Sequence, residues 1–170
     1  MAGSHVGAGA GRGTVVNLRR MVRITDNPAF KDATIKIVNL LHRSLFDLSN
    51  GKVAGRIGSM PVVQLSTVGR RTGEHRRTML TSPVQDGDDV VLVASWGGDD
   101  RHPTWYLNLR ANPEVEITMN GKRRRMRART ATPEEKATLW PRIVQAYSGY
   151  AGYQRKTERD IPVVILAPAS

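Results

Sequence analysis

The 170-residue chain contains no cysteine. That absence excludes disulfides, thiolate zinc sites, iron–sulfur clusters and a cysteine nucleophile together. Histidine is scarce: His5, His42, His75 and His102 are scattered, and none has a ligand-like neighbour at i+2 to i+4, which argues against a catalytic metal. No stretch approaches the roughly 18 consecutive apolar residues that a membrane-crossing helix needs. Acidic residues are few, 15 Asp+Glu against 26 Lys+Arg, leaving a formal charge of +11. With 39% hydrophobic residues the chain reads as globular, and its length fits one domain. The excess positive charge implies an anionic partner: nucleic acid, a membrane surface or a polyanionic small molecule.

Residues 1–25 read as a flexible leader, beginning with the tag-like MAGSH and a GAGAGRG tract, and are set aside from fold reasoning. No signal-peptide core follows, so a cytoplasmic protein is expected. Residues 26–170 read as a single domain. Within it, Asp26-Asn27-Pro28 opens a basic amphipathic helix over 26–50, with Phe30, Ala33, Ile37, Leu40, Leu41, Leu45 and Leu48 at helical spacing. Such a stripe either packs on its own domain or lies on an anionic membrane surface.

From residue 60 the pattern alternates. Strands are expected over 61–68, 76–84 and 89–95, the last (VVLVA) apolar enough to be buried on both faces. A short helix over 103–110 follows a Gly- and Asp-rich loop. Strands over 114–119 and 122–131 flank Asn120-Gly121, a strong hairpin signal. Thr132-Pro133-Glu134-Glu135 opens a helix running to Tyr147, and 161–166 forms a last strand. Short strands with tight turns and flanking helices predict a mainly β (α+β) fold, a small barrel decorated by helices. No βαβ rhythm or GxGxxG supports a Rossmann domain.

Four segments carry chemistry. In LSTVGRRTGEHRRTML, Arg70, Arg71, Arg76 and Arg77 place four guanidiniums around a Gly-containing loop, with Thr72 and Thr78 as hydroxyl donors. Guanidinium forks match phosphate and carboxylate oxygens, though a solvated turn has the same spacing. In VASWGGDDRHPTWYLNLRANP, a buried strand delivers Ser95 to a loop ahead of Trp105 and Tyr106. Ser95 and His102 do not form a hydrolase pair, because no GxSxG elbow surrounds the serine. Tyr147, Tyr150 and Tyr153 stand at i, i+3 and i+6 and would share a face if helical. Ordinary cores prefer Phe and Leu, so this cluster suggests a pocket for a flat, partly polar ring. Finally, Arg123, Arg125, Arg127 and Arg129 line one face of an expected strand. That stripe reads as an outward, solvated face or as a phosphate-binding one; it is the main support for nucleic-acid binding, yet no zinc finger, helix-turn-helix or RNP motif accompanies it.

Taken in order, these motifs and the tail LWPRIVQAYSGYAGYQRKTERDIPVVIL resemble the deazaflavin-dependent nitroreductase family, whose members use coenzyme F420. The likeness spans residues 60–168, the expected cofactor-binding barrel. It implies a split β-barrel with flanking helices and an F420H2-dependent reductase. The family's coenzyme carries a flat tricyclic ring, a phosphodiester and an oligoglutamate tail. By the resemblance, Arg70, Arg71, Thr72, Arg76 and Arg77 hold phosphate and tail, while Thr78, Met79, Leu80 and Thr81, with Val93, Ala94, Ser95 and Trp96, border the ring. Thr104, Trp105, Tyr106, Leu107 and Asn108 complete the site, and Tyr150 closes over it. Tyr147, Tyr150 and Tyr153 line the substrate face, with Ser95 as a further candidate donor. The expected substrate is an electron-poor small molecule: an enone, a quinone or a nitro compound. An FMN-binding split-barrel oxidoreductase and a basic nucleic-acid-binding module are the alternative readings. The oligomeric state has no signature in the sequence.

Overall fold

A computed structural model describes residues 56–169, so the leader and the helix expected over 26–50 lie outside the described residues. In chain order the described elements are β1 (Arg56–Ile57), β2 (Met60–Val68), β3 (His75–Thr81), β4 (Val84–Asp86) and β5 (Asp89–Val93), then a 3₁₀ turn (Trp96–Gly98) and α1 (Thr104–Ala111). They continue with β6 (Glu114–Met119), β7 (Lys122–Thr130), α2 (Pro133–Ala146), α3 (Gly149–Arg155) and β8 (Val163–Pro168).

The strands pair antiparallel in the order β1-β2-β6-β7-β8-β5-β4, with β3 on the other side of β2. β3 and β4 are consecutive in the chain, separated only by Ser82 and Pro83, yet they stand at opposite ends of the ladder. The sheet has to curl until those ends meet, which makes it a split barrel. The sequence pattern ran one strand from 76 to 84; the structure breaks it at Ser82, where the chain passes from one edge to the other. Ser82 is fully buried. Its N–H donates to Pro61 O at 3.0 Å, and its Oγ lies 2.9 Å from both Val84 O and Val91 O. Gln85 Nε2 donates to its Oγ and its carbonyl, both at 2.8 Å. Ser82→Ala strips these groups of their shared partner and is expected to cost about 1–3 kcal/mol. The check is a lower urea midpoint at unchanged slope.

Two cores lie on the two faces of the sheet. Val63, Leu65, Leu92, Ile117, Met126 and Leu166 fill the barrel with Trp105 and Leu109 of α1. On the outer face, Val91, Val93, Val163 and Ile165 lie beneath Leu139 and Ile143 of α2 and Tyr150 of α3. β5 feeds both, Val90 and Leu92 inward and Val91 and Val93 outward, so it carries no polar alternation.

Local chemistry sets the boundaries. Asn120 and Gly121 both adopt positive φ (52° and 73°), as a two-residue hairpin joining β6 and β7 requires. Thr132 and Glu135 form a reciprocal capping box at the start of α2, with Pro133 in its first turn. Tyr147 caps the C-terminus of α2, so the tyrosines span a helix end and a second short helix instead of one continuous helix.

Candidate cofactor and substrate site

The β2–β3 connection is a tight turn. Gly69 N donates to Glu74 O and Gly73 N to Gly69 O, both at 2.8 Å, and Gly73 sits at φ 71°. A Cβ at Gly69 would stand 2.9 Å from Thr72 Oγ1 and 3.2 Å from Glu74 O, so a side chain there would force Thr72 to move. Asn108 of α1 holds this loop from behind. Its Oδ1 accepts from Arg70 N (3.3 Å) and Arg70 Nη1 (3.4 Å), and its Nδ2 donates to Thr67 Oγ1 at 3.4 Å. Arg76 pairs with Glu74. Arg71 and Arg77 are exposed and make no ion pair among the described residues. The loop thus presents clustered guanidiniums against a single carboxylate, a donor set suited to a polyanion.

The tyrosines form a second cluster. Tyr150 meets Tyr147 and Tyr153 edge to face, with centroids 5.5 and 6.0 Å apart, and Tyr147 lies 6.2 Å from Tyr153. The Tyr150 hydroxyl reaches Thr81 Oγ1 at 3.4 Å, linking α3 to the end of β3. Burial pushes the Tyr150 phenol above its ordinary value. The hydrogen bond to Tyr147, then burial, push Tyr153 up to about 12. Tyr147 is 43% exposed, and its ring folds over Gly149 so closely that a Cβ there would collide with it. Gly149→Ala is expected to swing this exposed ring outward. The phenol titration of Tyr153 should fall towards 10, with a stability change below about 1 kcal/mol. An ultraviolet titration with a thermal melt checks both.

The third element is the turn after β5. Ser95 lies in the αR region (φ −72°, ψ −36°), followed by positive φ at Trp96 (49°), Gly97 (66°) and Gly98 (83°). Positive φ is costly for a residue as bulky as tryptophan. A Cβ at Gly98 would stand 2.8 Å from Tyr153 O, so α3 rests directly on this turn. Arg159 grips the same turn from the chain's last loop. Its Nη2 donates to Ala94 O (3.1 Å) and Ser95 O (2.8 Å), and its Nε to Asp99 O (2.8 Å). Its Nη1 lies 3.4 Å from His102 Nδ1. Sequence spacing gave no sign of Arg159, because its partners are backbone carbonyls some sixty residues earlier.

The strand register sorts the expected site residues. Arg77, Met79 and Thr81 alternate with Arg76, Thr78 and Leu80 along β3, and Leu80 packs on the barrel core while Thr81 meets Tyr150. Val93 and Tyr150 share the outer core. Ala94, Trp105 and Tyr106 are in the barrel core, with Leu107 packed against it, and the Tyr106 hydroxyl is engaged by Thr130 Oγ1 at 3.1 Å. These residues, with buried Asn108, support the site from inside. Thr104 opens α1 with its side chain exposed. The arginine stripe on β7 is answered locally: Arg123 pairs with Glu116, Arg127 with Glu114 and Arg129 with Glu135. Its charge is thereby largely neutralised by neighbours, which removes the main support for nucleic-acid binding.

The described residues thus form an antiparallel split barrel with an arginine loop at one end and tyrosines packed over its outer face. Residues 40–168 match the F420H(2)-dependent quinone reductase family. The chain is 42% identical over 130 residues to an F420H(2)-dependent quinone reductase of Mycobacterium tuberculosis, covering 74% of this chain and 87% of that protein. A second M. tuberculosis relative is 39% identical over 115 residues, covering 68% of this chain and 96% of that protein. Among solved structures, an F420-H2 dependent reductase (FDR-A) superposes with a TM-score of 0.58 at 40% identity, covering 62% of this chain and 93% of that one. Another, described as a domain-swapped dimer, gives a TM-score of 0.60 at 33% identity, covering 75% and 96%. The chain belongs to the F420H(2)-dependent quinone reductase family. It is an F420H2-dependent oxidoreductase, and the coenzyme is the one the sequence motifs imply. The residues fit that coenzyme: among the described residues Arg71 and Arg77 have no acidic partner to compete with an anionic tail, and the tyrosine rings offer faces and edges to a flat ring. Among the described residues no helix is long and apolar enough to cross a membrane, and no cluster of metal-ligating side chains occurs.

Proposed function

We propose that this enzyme reduces a quinone to its hydroquinone at the outer face of the split barrel, between the end of β3, the turn after β5 and the tyrosines of α3. Arg70, Arg71, Arg76, Arg77 and Thr72 hold the phosphate and acidic tail of F420. Met79, Thr81, Val93, Ser95 and Trp96 border its ring. The reduced coenzyme supplies the hydride when bound. Hydride and one proton together carry two electrons and two hydrogens, so the quinone's two carbonyl oxygens become hydroxyls. Negative charge grows on a quinone oxygen as the hydride arrives, and donors preplaced there lower the barrel site's barrier. The Tyr150 phenol, raised in pKa and steadied by Thr81, stays protonated and donates to that oxygen. Ser95 stands at the end of β5 with no hydrogen bond from its hydroxyl among the described residues, which leaves it available as a second donor.

The Tyr150–Thr81 contact carries this reading, because it brings a buried phenol from the tyrosine cluster onto the strand that begins at the arginine loop. The test is oxidation of F420H2 by a soluble naphthoquinone, a cyclic enone and a nitroaromatic, compared by kcat/KM. The quinone is expected to lead by at least about tenfold, equivalent to 1.4 kcal/mol at the transition state. Equal or better turnover of the enone or the nitro compound overturns the substrate assignment while leaving the coenzyme assignment intact.

A further inference from the structure

We infer that Arg159 is a positioning residue for the coenzyme: its guanidinium holds the turn at residues 94–99 in the shape that the site requires. The inference rests on the placement of Ser95 and Trp96 against the coenzyme ring.

The turn does not hold its own shape. Three consecutive residues, Trp96, Gly97 and Gly98, adopt positive φ, and one of them is a tryptophan. Its internal bonds are two, Gly98 N to Ser95 O at 2.9 Å and Asp99 N to Trp96 O at 3.2 Å. A strained turn persists only where its surroundings over-determine it. Arg159 supplies that constraint with three donated bonds to carbonyls on both sides of the strained residues, Ala94 and Ser95 before them and Asp99 after. A planar fork suits this task because its N–H directions are fixed relative to one another.

Surrounding groups fix Arg159 in turn. Arg159 N donates to Thr157 Oγ1 at 3.3 Å, and that hydroxyl donates to Asp100 Oδ1 at 2.7 Å. Gln154 Nε2 of α3 donates to Arg159 O at 2.8 Å. A guanidinium only donates, so His102 Nδ1 accepts from Nη1 and the imidazole carries its proton on Nε2. The opposite side of the turn seats Gly98 against the Tyr153 carbonyl. One side chain thereby sets the end of β5, where Ser95 and Trp96 lie, and the turn on which α3 rests with Tyr150 and Tyr153. No catalytic contact by Arg159 itself is involved.

The experiment measures equilibrium binding of oxidised F420 by fluorescence to the full chain and to Arg159→Gln, Arg159→Lys, Trp96→Leu and Ile117→Val. Ile117→Val trims one methyl group from the barrel core, at a residue that makes none of the side-chain bonds to the turn, and serves as the matched loss of stability. Arg159→Gln is expected to raise Kd at least about tenfold, while Ile117→Val stays within twofold at a similar fall in melting temperature. Arg159→Lys keeps the charge but not the fork; it should recover most of the melting temperature and little of the affinity. It carries the same reading if Arg159→Gln does not fold. A nuclear magnetic resonance titration gives a coenzyme-free readout: the His102 imidazole, held below its ordinary value by burial and then by the charge of Arg159, should move upward in Arg159→Gln, which removes that charge. Recovery of both melting temperature and Kd by lysine, or an unchanged Kd in Arg159→Gln while Trp96→Leu weakens binding, overturns the role of Arg159 alone. An unchanged Kd in Trp96→Leu overturns the placement of the turn at the coenzyme, and the role of Arg159 with it.

Discussion

Tyr150→Phe is expected to lower kcat for quinone reduction by about a hundredfold to a thousandfold while leaving F420 affinity within about twofold, the size of effect typical of removing one preplaced hydrogen-bond donor to a developing oxyanion. The two halves of that expectation have different origins. Phenylalanine keeps the ring that packs on Tyr147 and Tyr153 and fills the outer core beside Ile143 and Val93, so the fold and the ring-facing surface persist. What disappears is the hydroxyl and its 3.4 Å contact with Thr81, too long to contribute much stability. Tyr150→Ala is the contrasting variant, because it also empties a buried site and should destabilise by about 3–5 kcal/mol. If Tyr150→Phe turns over normally and Tyr150→Ala fails only through lost stability, the phenol has no part in the reaction. A pH signature accompanies this. Tyr150 and Tyr153 are both raised above the ordinary phenol value, Tyr153 to about 12. A group raised in the folded state adds stability that is complete below its unfolded value near 10. That stability drains away as pH climbs through the folded value. The wild type should therefore lose stability between pH 10 and 12, and the loss should shrink in Tyr153→Phe.

The second large effect concerns the arginine loop. Arg71→Glu combined with Arg77→Glu is expected to weaken F420 binding by about 30- to 150-fold at low salt, which corresponds to 2–3 kcal/mol. Both guanidiniums are exposed and without ion pairs among the described residues, so reversing them disturbs no internal bridge and little of the fold. The logarithm of affinity should also fall less steeply with salt than in the wild type, since fewer screened attractions remain. Arg125→Glu is the control. It changes charge on the exposed face of β7, three strands across the sheet from Arg77, and is expected to leave affinity within about twofold. Equal weakening by the control would mean that the coenzyme answers to the protein's overall charge of +11 and not to this loop.

How much of this was legible in the sequence depended on the range of the interaction. The Asn120-Gly121 hairpin and the Thr132 cap are local, and the structure has both. The VVLVA run announced burial on both faces, and β5 serves two cores. The continuous strand expected over 76–84 missed the barrel's closure: Pro83 has no N–H for a strand ladder, and Ser82 beside it is bonded to Pro61, Val91 and Gln85. α3 was legible only as tyrosine spacing, since a segment with Gly149 and Gly152 has weak helical preference and is held by packing of Tyr150. The arginine stripe reads in the sequence as a solvated face or as a phosphate-binding one, and the structure has its arginines exposed and mostly paired. Cross-strand register, Glu116 opposite Arg125 and Glu114 opposite Arg127, places acids within reach of their diagonal and direct partners. Asn108 was singled out for the coenzyme, and its carboxamide is spent on Arg70 and Thr67.

The junction at Ser82 has a consequence for motion. β3 and β4 each pair with only one neighbour among the described residues, while β7 and β8 lie in the middle of the ladder. Edge amides open at lower free energy than central ones, so hydrogen exchange should be fastest along β3 and β4 and slowest through β7, β8 and the paired part of β5. The strand that leads from the arginine loop to Thr81 is one of those edges. The barrel therefore breathes first along the seam where the proposed site lies, and its rigid half lies behind. Bound F420 should slow exchange along β3 far more than along β8, as the ligand stitches the loose edge to the framework.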